Sequence, residues 1–535
     1  MTTDNTLLPA FDWQHGYPSR RSPLCAANVV STSQPLAAQA GVTMLANDGN
    51  AVDAAIAAAI TLTVVEPCSN GAGSDLFAIL WDGKELVGLN ASGRAPAAWS
   101  PARYAGRSVV GPRGFGAVTI PGAVSGWVAL SQRFGKLPFA DLFEPAIRYA
   151  RAGFLVSPVI ANYWQRAVPL MPHDLGFAEH FMPRGRAPVA GERFANPALA
   201  ASLEKIAATD GDAFYRGELA QAIVRYAHAN GEVHTLADFA QHTADWVTPL
   251  AQDYHGITVH QIPPNGQGIA ALIALGILGH FDVAAHAPDS VAAQHLQIEA
   301  MKLAFADAHR YVADPRTMPF PPQQLLDPGY IASRARLLDP SRAQDFGPGD
   351  PPKGGTVYVS AADASGMMVS LIQSNYMGFG SGVVVPGTGL SLQNRGAGFT
   401  LQPGHPNEVG GGKRPYHTII PGFATRNGAP LAAFGVMGGP IQPPAHVQTL
   451  VRLVDYRMNP QAILDAPHWK IDGASIDIEA SASPALREGL AAMGHRIEGK
   501  SDSYMDFGAG QYVVRTEDGY VCGSDPRRDG QASGF

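Results

Sequence analysis

Four consecutive residues near the middle of the chain, Lys353-Gly354-Gly355-Thr356, place a hydroxyl side chain directly after two glycines. They end a loop rich in proline and glycine and open a run that alternates like a β-strand. An ordinary turn explains this pattern, because glycine is a common turn residue. A second explanation is self-cleavage of the Gly355–Thr356 peptide bond, which would make Thr356 an amino-terminal nucleophile with its own α-amine as the base.

The chemistry of an amino-terminal threonine fits this second explanation. A free α-amine has a pKa of about 7.7–8.0, so part of it is neutral near pH 7. A general base works best when its pKa lies near the working pH. Gly355 would help the cleavage itself, since glycine reaches the strained backbone angles that bring the threonine hydroxyl to the preceding carbonyl.

The surrounding sequence predicts the elements that must position Thr356. Its strand continues to Ala361, turns at 363–366 and returns over 367–374, which is a hairpin pattern. Other patterns predict strands at 29–31, 76–81, 85–89 and 431–436, and helices at 34–47, 51–64, 290–313 and 445–456. Strands therefore flank a mostly helical middle, which indicates an α/β body with sheets covered by helices.

Composition limits the classes of function. The chain of 535 residues is 46% hydrophobic and 16% charged, which allows a large buried core, and its net charge of −7 argues against nucleic acid as a partner. The most apolar stretch, residues 51–65, is shorter than the roughly 20 residues of a membrane span. Residues 1–22 lack the basic-then-apolar order of a signal peptide. We therefore expect a cytoplasmic protein with no membrane partner.

Several further segments, in a fixed order, resemble the gamma-glutamyltransferase (gamma-glutamyltranspeptidase) family of N-terminal-nucleophile (Ntn) hydrolases. The most specific are GNAVDAA at 49–55 and GKRP at 412–415. Supporting segments are VVS at 29–31, AAQAG at 37–41, VTIPGAVSG at 118–126, PPNGQG at 263–268, EAMK at 299–302, AD at 306–307 and GG at 438–439. Because the family order is kept along most of the chain, the resemblance favours self-cleavage as the explanation for Thr356.

The resemblance implies an α/β (α+β) fold, the Ntn-hydrolase αββα four-layer sandwich, built from both fragments of a self-cleaved precursor. The large fragment would be residues 1–355 and the small one 356–535; the two would form a heterodimer, with further dimerisation left open. Thr356 would attack the substrate amide, and the backbone N–H groups of Gly438 and Gly439 would hold the oxyanion. Ser374 would orient the Thr356 amine, although an ordinary strand-end hydroxyl explains it equally well. No cofactor and no metal are expected.

The resemblance also suggests what the pocket binds. Arg94 matches the family arginine that holds a substrate carboxylate, a task suited to the planar guanidinium. The acidic residue that would bind a substrate α-amine is replaced by Gly398, and the polar residue three positions earlier is replaced by Arg395. His417 and Thr418 stand where the family has a pair of serines, and we expect them, like Arg395, to bind the substrate. Because a buried ammonium without a partner is costly, we expect a small anionic amide without an α-amine as the substrate.

These features resemble the amidohydrolase branch of the family, and the reaction that fits them best is hydrolysis of oxamate to oxalate and ammonia through an acyl-enzyme on Thr356. Three alternatives stay open. A gamma-glutamyltransferase or glutathione hydrolase would need another carboxylate in place of the one lost at Gly398. A glutaryl- or cephalosporin-type acylase would need a longer pocket. A relative that is never cleaved would be a non-catalytic binding or scaffold protein.

Overall fold

The computed structural model describes residues 21–346, 355–500 and 506–535. The amino-terminal segment and most of the Pro/Gly-rich loop before Thr356, including Lys353 and Gly354, lie outside these residues. Within them, every helix is too short or too polar to cross a membrane. The cytoplasmic location stays a prediction.

The strands of the described residues are, in chain order, β1 (Leu24–Ala26), β2 (Val29–Thr32), β3 (Asp75–Trp81), β4 (Leu86–Ala91), β5 (Phe154–Leu155), β6 (Arg193–Phe194), β7 (Asp245–Val247), β8 (Leu250–Tyr254), β9 (Ile257–Gln261), β10 (Gly355–Ala362), β11 (Met368–Tyr376), β12 (Val384–Val385), β13 (Leu390–Ser391), β14 (Gly422–Arg426), β15 (Ala429–Met437), β16 (Trp469–Asp472), β17 (Ser475–Glu479), β18 (Ile497–Lys500), β19 (Ala509–Arg515), β20 (Tyr520–Ser524) and β21 (Gln531–Gly534).

The α-helices of the same residues are α1 (Pro35–Ala46), α2 (Ala51–Val65), α3 (Ala123–Phe134), α4 (Glu144–Ala152), α5 (Pro158–Ala167), α6 (Ala178–Phe181), α7 (Pro197–Ala208), α8 (Asp212–Tyr215), α9 (Glu218–Ala229), α10 (Leu236–Ala240), α11 (Gly268–Leu278), α12 (Val291–Tyr311), α13 (Pro328–Ala335), α14 (Gln442–Val454), α15 (Pro460–Asp465) and α16 (Pro484–Ala492).

Two seven-stranded antiparallel sheets form the centre of the molecule. Sheet A has the order β1-β20-β19-β15-β14-β9-β8, and sheet B has the order β21-β2-β10-β11-β3-β4-β7. The sheets stack face to face around a core that includes Phe77 and Tyr358 of sheet B and Phe423 and Val513 of sheet A.

Helices cover the outer surface of each sheet. Helix α2, which is buried along its whole length, packs on sheet B. Helices α11 and α14 pack on sheet A. The layers are therefore helix, sheet, sheet and helix, so the αββα sandwich expected from the sequence is confirmed.

Segments from both sides of Thr356 contribute to each sheet. Sheet B places β10, which begins at Gly355, between β2 and β11, and sheet A places β9 beside β14. Division into residues 1–355 and 356–535 therefore would not separate two compact halves. It stays a prediction about cleavage rather than a boundary between domains.

The hairpin predicted around Thr356 is present, with an irregular register at this residue. Gly355 pairs with Tyr376, and the following pair skips a position on β11. Thr356 therefore lies opposite two residues, Ser374 and Asn375, which makes a β-bulge in β11. Bulges of this kind redirect side chains and are common beside active sites.

One predicted helix starts earlier than its pattern indicates. The helix expected at 445–456 begins at Gln442 and ends at Val454. Pro443 and Pro444 occupy its first turn, where a missing backbone N–H removes no helical hydrogen bond. The pair of prolines thus belongs to the helix, and Gln442 stands at its amino-terminal end.

Close packing between the sheets can be tested at Gly435 on β15. A Cβ added there would lie 2.4 Å from the Tyr358 ring. Gly435→Ala should lower the free energy of unfolding by roughly 1–3 kcal/mol, because the ring or the sheets must move apart. Gly111→Ala is the control, since no atom lies within 4 Å of its added Cβ. Equal denaturant midpoints for the two variants would contradict this packing.

Candidate active site

Thr356 lies inside the sandwich, 1% exposed, at the start of β10. Its Oγ1 donates a hydrogen bond to Ser374 Oγ at 3.3 Å. Ser374 Oγ also accepts the backbone N–H of Tyr376 at 2.7 Å. The bulge in β11 thus places the two hydroxyl residues singled out from the sequence next to each other.

Gly438 and Gly439 form the turn between β15 and α14. Their φ angles are +127° and +71°, in the region that residues with side chains rarely adopt. Within the described residues, neither backbone N–H donates to a carbonyl or to a side chain. Gln267 fixes the turn, since its Nε2 donates to Gly439 O at 3.0 Å and to Thr418 O at 2.7 Å. Two fixed backbone donors without partners are what an oxyanion hole requires.

Arg395 is a fully buried cation, 1% exposed, at the start of the 3₁₀ turn Arg395–Gly398. Its Nη1 donates to Thr418 Oγ1 at 2.9 Å, and its guanidinium carbon lies 4.6 Å from the centre of the Tyr376 ring. Nε and Nη2, which form one edge of the guanidinium, have no hydrogen-bond partner among the described residues. This edge has the geometry that binds a carboxylate through two hydrogen bonds.

These contacts close into a ring that starts and ends at Thr356. In order, this Thr356 ring consists of Thr356, Ser374, Tyr376, Arg395, Thr418, Gln267, the Gly438-Gly439 turn and Gln442. Gln442 completes it, because its Nε2 donates to Thr356 Oγ1 at 3.5 Å. The structure therefore brings six residues predicted from the sequence into one site.

Sequence reasoning missed three members of the Thr356 ring. Gln267 lies in the segment PPNGQG, whose resemblance to the family was the available signal. Tyr376 and Gln442 have no such signal. Tyr376 enters the ring through the bulge in β11, and Gln442 through the early start of α14.

His417 was expected to bind substrate and is fully buried beside the ring. Its Nδ1 accepts the backbone N–H of Ile419 at 3.4 Å, so its proton is on Nε2, which donates to Asp75 Oδ2 at 3.1 Å. Burial and the nearby charges of Arg395 and Arg414 hold the pKa of His417 well below its ordinary value. The imidazole is therefore neutral at physiological pH, and the contact is a hydrogen bond rather than an ion pair.

Asp75, which was not predicted, is a buried carboxylate at the start of β3, directly across from Ser374. Its Oδ1 accepts the backbone N–H groups of Gly93 at 3.1 Å and Gly122 at 3.0 Å. Burial raises the pKa of Asp75 to about 6, and the positive charge of Arg395 opposes this rise. A carboxylate opening an otherwise apolar strand was the signal in the sequence that could have identified it.

Arg94 lies outside the Thr356 ring. Its guanidinium pairs with Asp245 at 3.3 Å and with Asp314 at 3.5 Å, and its side chain is 31% exposed. It lines a separate open cavity of about 250 Å³ together with His242 and Arg316. Its role in binding the substrate carboxylate stays a prediction, and the geometry favours Arg395 for this task.

Gly398 ends the turn that begins at Arg395, and its surroundings leave no room for the acidic residue of the family. A Cβ added at Gly398 would lie 2.4 Å from the carbonyl oxygen of Tyr416. The same region is fixed by Asn407, whose Nδ2 donates to Gly398 O at 2.7 Å. A carboxylate at this position would require the backbone around Tyr416 to move.

Three residues among those described, His295, Glu299 and His495, have ligand atoms close enough to hold a metal ion. The ammonium of Lys302 already serves as their cation, donating to Glu299 Oε1 at 2.7 Å and lying 3.3 Å from His495 Nδ1. His495 Nε2 lies 2.8 Å from His295 Nδ1, and His295 Nε2 lies 2.8 Å from the carbonyl oxygen of Asp339. This cluster is a satisfied hydrogen-bond network, and the absence of a metal or cofactor from the reaction stays a prediction.

Comparison with known proteins shows the family of the chain. A family model for gamma-glutamyltranspeptidase matches residues 37–535. The chain belongs to the gamma-glutamyltranspeptidase family. It is therefore an enzyme of a family that acts on amide carbon–nitrogen bonds, and it has the fold of the Ntn hydrolases.

Relatives within the family differ in their named activities. The chain is 36% identical to the glutathione hydrolase-like YwrD proenzyme of Bacillus subtilis and 35% identical to the oxamate amidohydrolase proenzyme of Klebsiella pneumoniae. Each match covers 94% of this chain and 97% of the relative. The crystal structure of cephalosporin acylase from Bacillus halodurans matches with a TM-score of 0.93 at 44% identity, over 98% of this chain and 99% of that one.

The buried charge of Asp75 predicts a specific dependence of stability on pH. Because burial raises its pKa from 3.8 to about 6, the folded protein holds this proton more tightly than the unfolded chain does. The contribution of Asp75 is therefore most favourable below pH 3.8 and declines as pH rises through 6. We compare the unfolding free energy of Asp75→Asn with that of the parent at each pH. Between about pH 4 and pH 7 this difference should shift in favour of Asp75→Asn by on the order of 3 kcal/mol.

The measurement is denaturant unfolding over this pH range in a Thr356→Ala background, so that both proteins have the same covalent state. Asp518→Asn, a change at an exposed residue, is the control. Parallel pH profiles for the parent and Asp75→Asn would contradict the raised pKa.

Proposed function

We propose that this chain is the precursor of an amidohydrolase that cuts itself before Thr356 and then hydrolyses the amide of a small carboxylate-bearing substrate, with oxamate as the preferred one. The observation that carries the proposal is the Nε–Nη2 edge of the buried Arg395, which has no hydrogen-bond partner among the described residues and is held in the same ring of contacts as the Thr356 hydroxyl. One group attacks the amide, and the other binds the acid attached to it.

In the proposed cycle, the α-amine of Thr356 takes the proton from Oγ1 as this oxygen bonds to the substrate carbonyl carbon. The carbonyl electron pair moves onto oxygen, where the N–H groups of Gly438 and Gly439 stabilise it; losing one such donor typically costs about 2.7–4 kcal/mol. The carbon–nitrogen bond then breaks, the leaving nitrogen takes the proton from the α-ammonium, and ammonia departs. Water attacks the resulting ester in the same way, which releases oxalate and restores Thr356.

The charges around the Thr356 ring support an acid without an α-amine. A carboxylate on the Nε–Nη2 edge of Arg395 would satisfy two buried donors at once. A substrate ammonium would need a carboxylate partner, and none stands at Gly398. Both oxygens of Asp75 already accept N–H groups, from Gly93, Gly122 and His417. This arrangement speaks against gamma-glutamyl donors.

A second candidate function is hydrolysis of a longer acyl amide that ends in a carboxylate. The similarity to the cephalosporin acylase of Bacillus halodurans favours it, while the similarity to the oxamate amidohydrolase of Klebsiella pneumoniae favours the smaller substrate. Arg395 would bind the acid in both cases. The two candidates differ in the distance between carboxylate and amide, which a substrate panel measures directly.

Self-cleavage is tested by denaturing electrophoresis. The 56.3 kDa chain would divide, in proportion to length, into fragments of about 37 and 19 kDa. Thr356→Ala should give one full-length, inactive chain because it removes the nucleophile, whereas Thr516→Ala, at an exposed turn, should give both fragments. The small fragment should begin Thr-Val-Tyr. Two fragments from Thr356→Ala would exclude Thr356 as the nucleophile, and a single active full-length chain from the unaltered protein would exclude self-cleavage.

Recognition of the carboxylate is tested by ammonia release from oxamate, from oxamide, which lacks the carboxylate, and from glutamine and glutaryl monoamide. Oxamate should be preferred over oxamide. Arg395→Lys keeps the charge but loses the two-donor edge, so it should weaken kcat/KM for oxamate by about 10-fold or more, since hydrogen bonds to charged groups contribute about 1.5–3 kcal/mol.

Arg94→Lys is the matched control for Arg395→Lys. It should leave the preference for oxamate over oxamide within about threefold of the unaltered enzyme, since Arg94 already pairs with two carboxylates. If Arg94→Lys loses the preference for oxamate over oxamide while Arg395→Lys keeps it, Arg94 rather than Arg395 binds the substrate carboxylate. Faster release from glutaryl monoamide than from oxamate would favour the longer acyl group.

A further inference from the structure

The side chain of Gln442 contacts Thr356 Oγ1, the oxygen that would attack the substrate. The proposed cycle gives Gln442 no role, since it is neither the nucleophile, nor an oxyanion donor, nor a carboxylate-binding residue. It is the first residue of α14 and is fully buried. Its Oε1 accepts the backbone N–H of Ile420 at 2.9 Å, and its Nε2 lies 3.5 Å from Thr356 Oγ1. Because a backbone N–H can only donate, the amide oxygen must face Ile420 and the NH₂ group must face Thr356.

The hydrogen bonds around Thr356 Oγ1 therefore have a defined direction. The oxygen accepts from Gln442 Nε2 and donates to Ser374 Oγ, which in turn accepts the N–H of Tyr376. A donor at 3.5 Å is a weak interaction in a neutral site. Catalytic hydrogen bonds are often this long before substrate binds, and they tighten in the reacting complex.

We propose that Gln442 is a catalytic residue whose side-chain N–H stabilises the negative charge that develops on Thr356 Oγ1. This inference rests on the proposed function. It differs from the role of Gly438 and Gly439, whose N–H groups would act on the carbonyl oxygen of the substrate.

The same charge arises in each covalent step. During attack, the Oγ1–H bond breaks, its proton passes to the α-amine, and the new Oγ1–C bond forms. During hydrolysis of the ester, the Oγ1–C bond breaks, the electron pair stays on Oγ1, and the proton returns from the α-ammonium. In self-cleavage Oγ1 bonds to the Gly355 carbonyl carbon, the Gly355–Thr356 carbon–nitrogen bond breaks, and the proton of Oγ1 ends on the Thr356 nitrogen, which becomes the α-amine. Water then hydrolyses the ester between Gly355 and Thr356 Oγ1, and the proton that water loses returns to Oγ1. One donor at Oγ1 therefore serves all three reactions.

Gln442→Glu is the decisive variant, because it keeps the acceptor for Ile420 and removes the donor to Thr356. Gln448 offers a matched control on the same helix. It is also fully buried, its Nε2 donates to Trp469 O at 2.9 Å, and its Oε1 accepts Trp469 N–H at 3.2 Å. Gln448→Glu thus removes one donor and keeps one acceptor, but away from Thr356.

At pH 8, Gln442→Glu should lower kcat for oxamate by about 10-fold or more and leave KM within about threefold. Gln448→Glu should keep kcat within about threefold. The ratio of Gln442→Glu activity to that of the unaltered enzyme should rise as pH falls to 5, because a protonated carboxyl again offers an O–H donor. A purely structural role would not produce this pH dependence.

Self-cleavage is followed in the same preparations by electrophoresis. A Gln442→Glu precursor that stays uncut, while it melts like Thr356→Ala and while Gln448→Glu is cut normally, supports the inference. Equal kcat and equal processing in Gln442→Glu and Gln448→Glu overturn it. Activity that persists in Thr356→Ala would instead overturn the proposed function, so the two failures are distinguishable.

Discussion

The buried charge of Arg395 is the constraint around which the site is arranged. Burial lowers the pKa of its guanidinium to about 10, so the group stays charged at neutral pH. The Tyr376 ring lies against it, Thr418 accepts one N–H, and Asp75 supplies the opposing charge. A cation removed from water is costly unless its donors find partners. Two of its donors have no partner among the residues that the structure describes, which creates a strong preference for an anion.

Tyr376 connects this charge to the nucleophile. Its backbone has a φ of +81°, which is unusual for a residue with a side chain and marks a strained position held by its surroundings. From this conformation its N–H holds Ser374 Oγ while its ring packs on Arg395. The hydroxyl that contacts Thr356 and the cation that would bind the acid are thus positioned by one residue at the end of β11. A shift of this strand would move both.

The sequence predicted the parts of the site that depend on local pattern. The hairpin, the glycine turn and the αββα layers follow from strand alternation, turn residues and the family segments. Contacts between distant segments were not predictable in this way. Arg94 was matched by its position in a motif, but its surroundings depend on Asp245 and Asp314, which reach it from far along the chain. Gln442 was missed because two prolines conceal the first turn of α14.

Interleaving of the two predicted fragments explains how cleavage can create a catalyst without dismantling the site. Thr356, Ser374 and Asp75 lie on three neighbouring strands, β10, β11 and β3. Strand β3 belongs to the predicted large fragment, whereas Thr356 and Ser374 belong to the predicted small fragment. Breaking the peptide bond before Thr356 would free an amine but leave these strands paired on both sides.

Under the proposed function, the charges of the site then determine which substrate binds. A carboxylate that reaches Arg395 meets two donors, whereas an ammonium beside it would face the same positive charge and a carboxylate at Asp75 that already accepts three N–H groups. The proposed selectivity would thus follow from a cation fixed where the family has a neutral polar residue, together with a backbone at Tyr416 that leaves no space for an acid at Gly398.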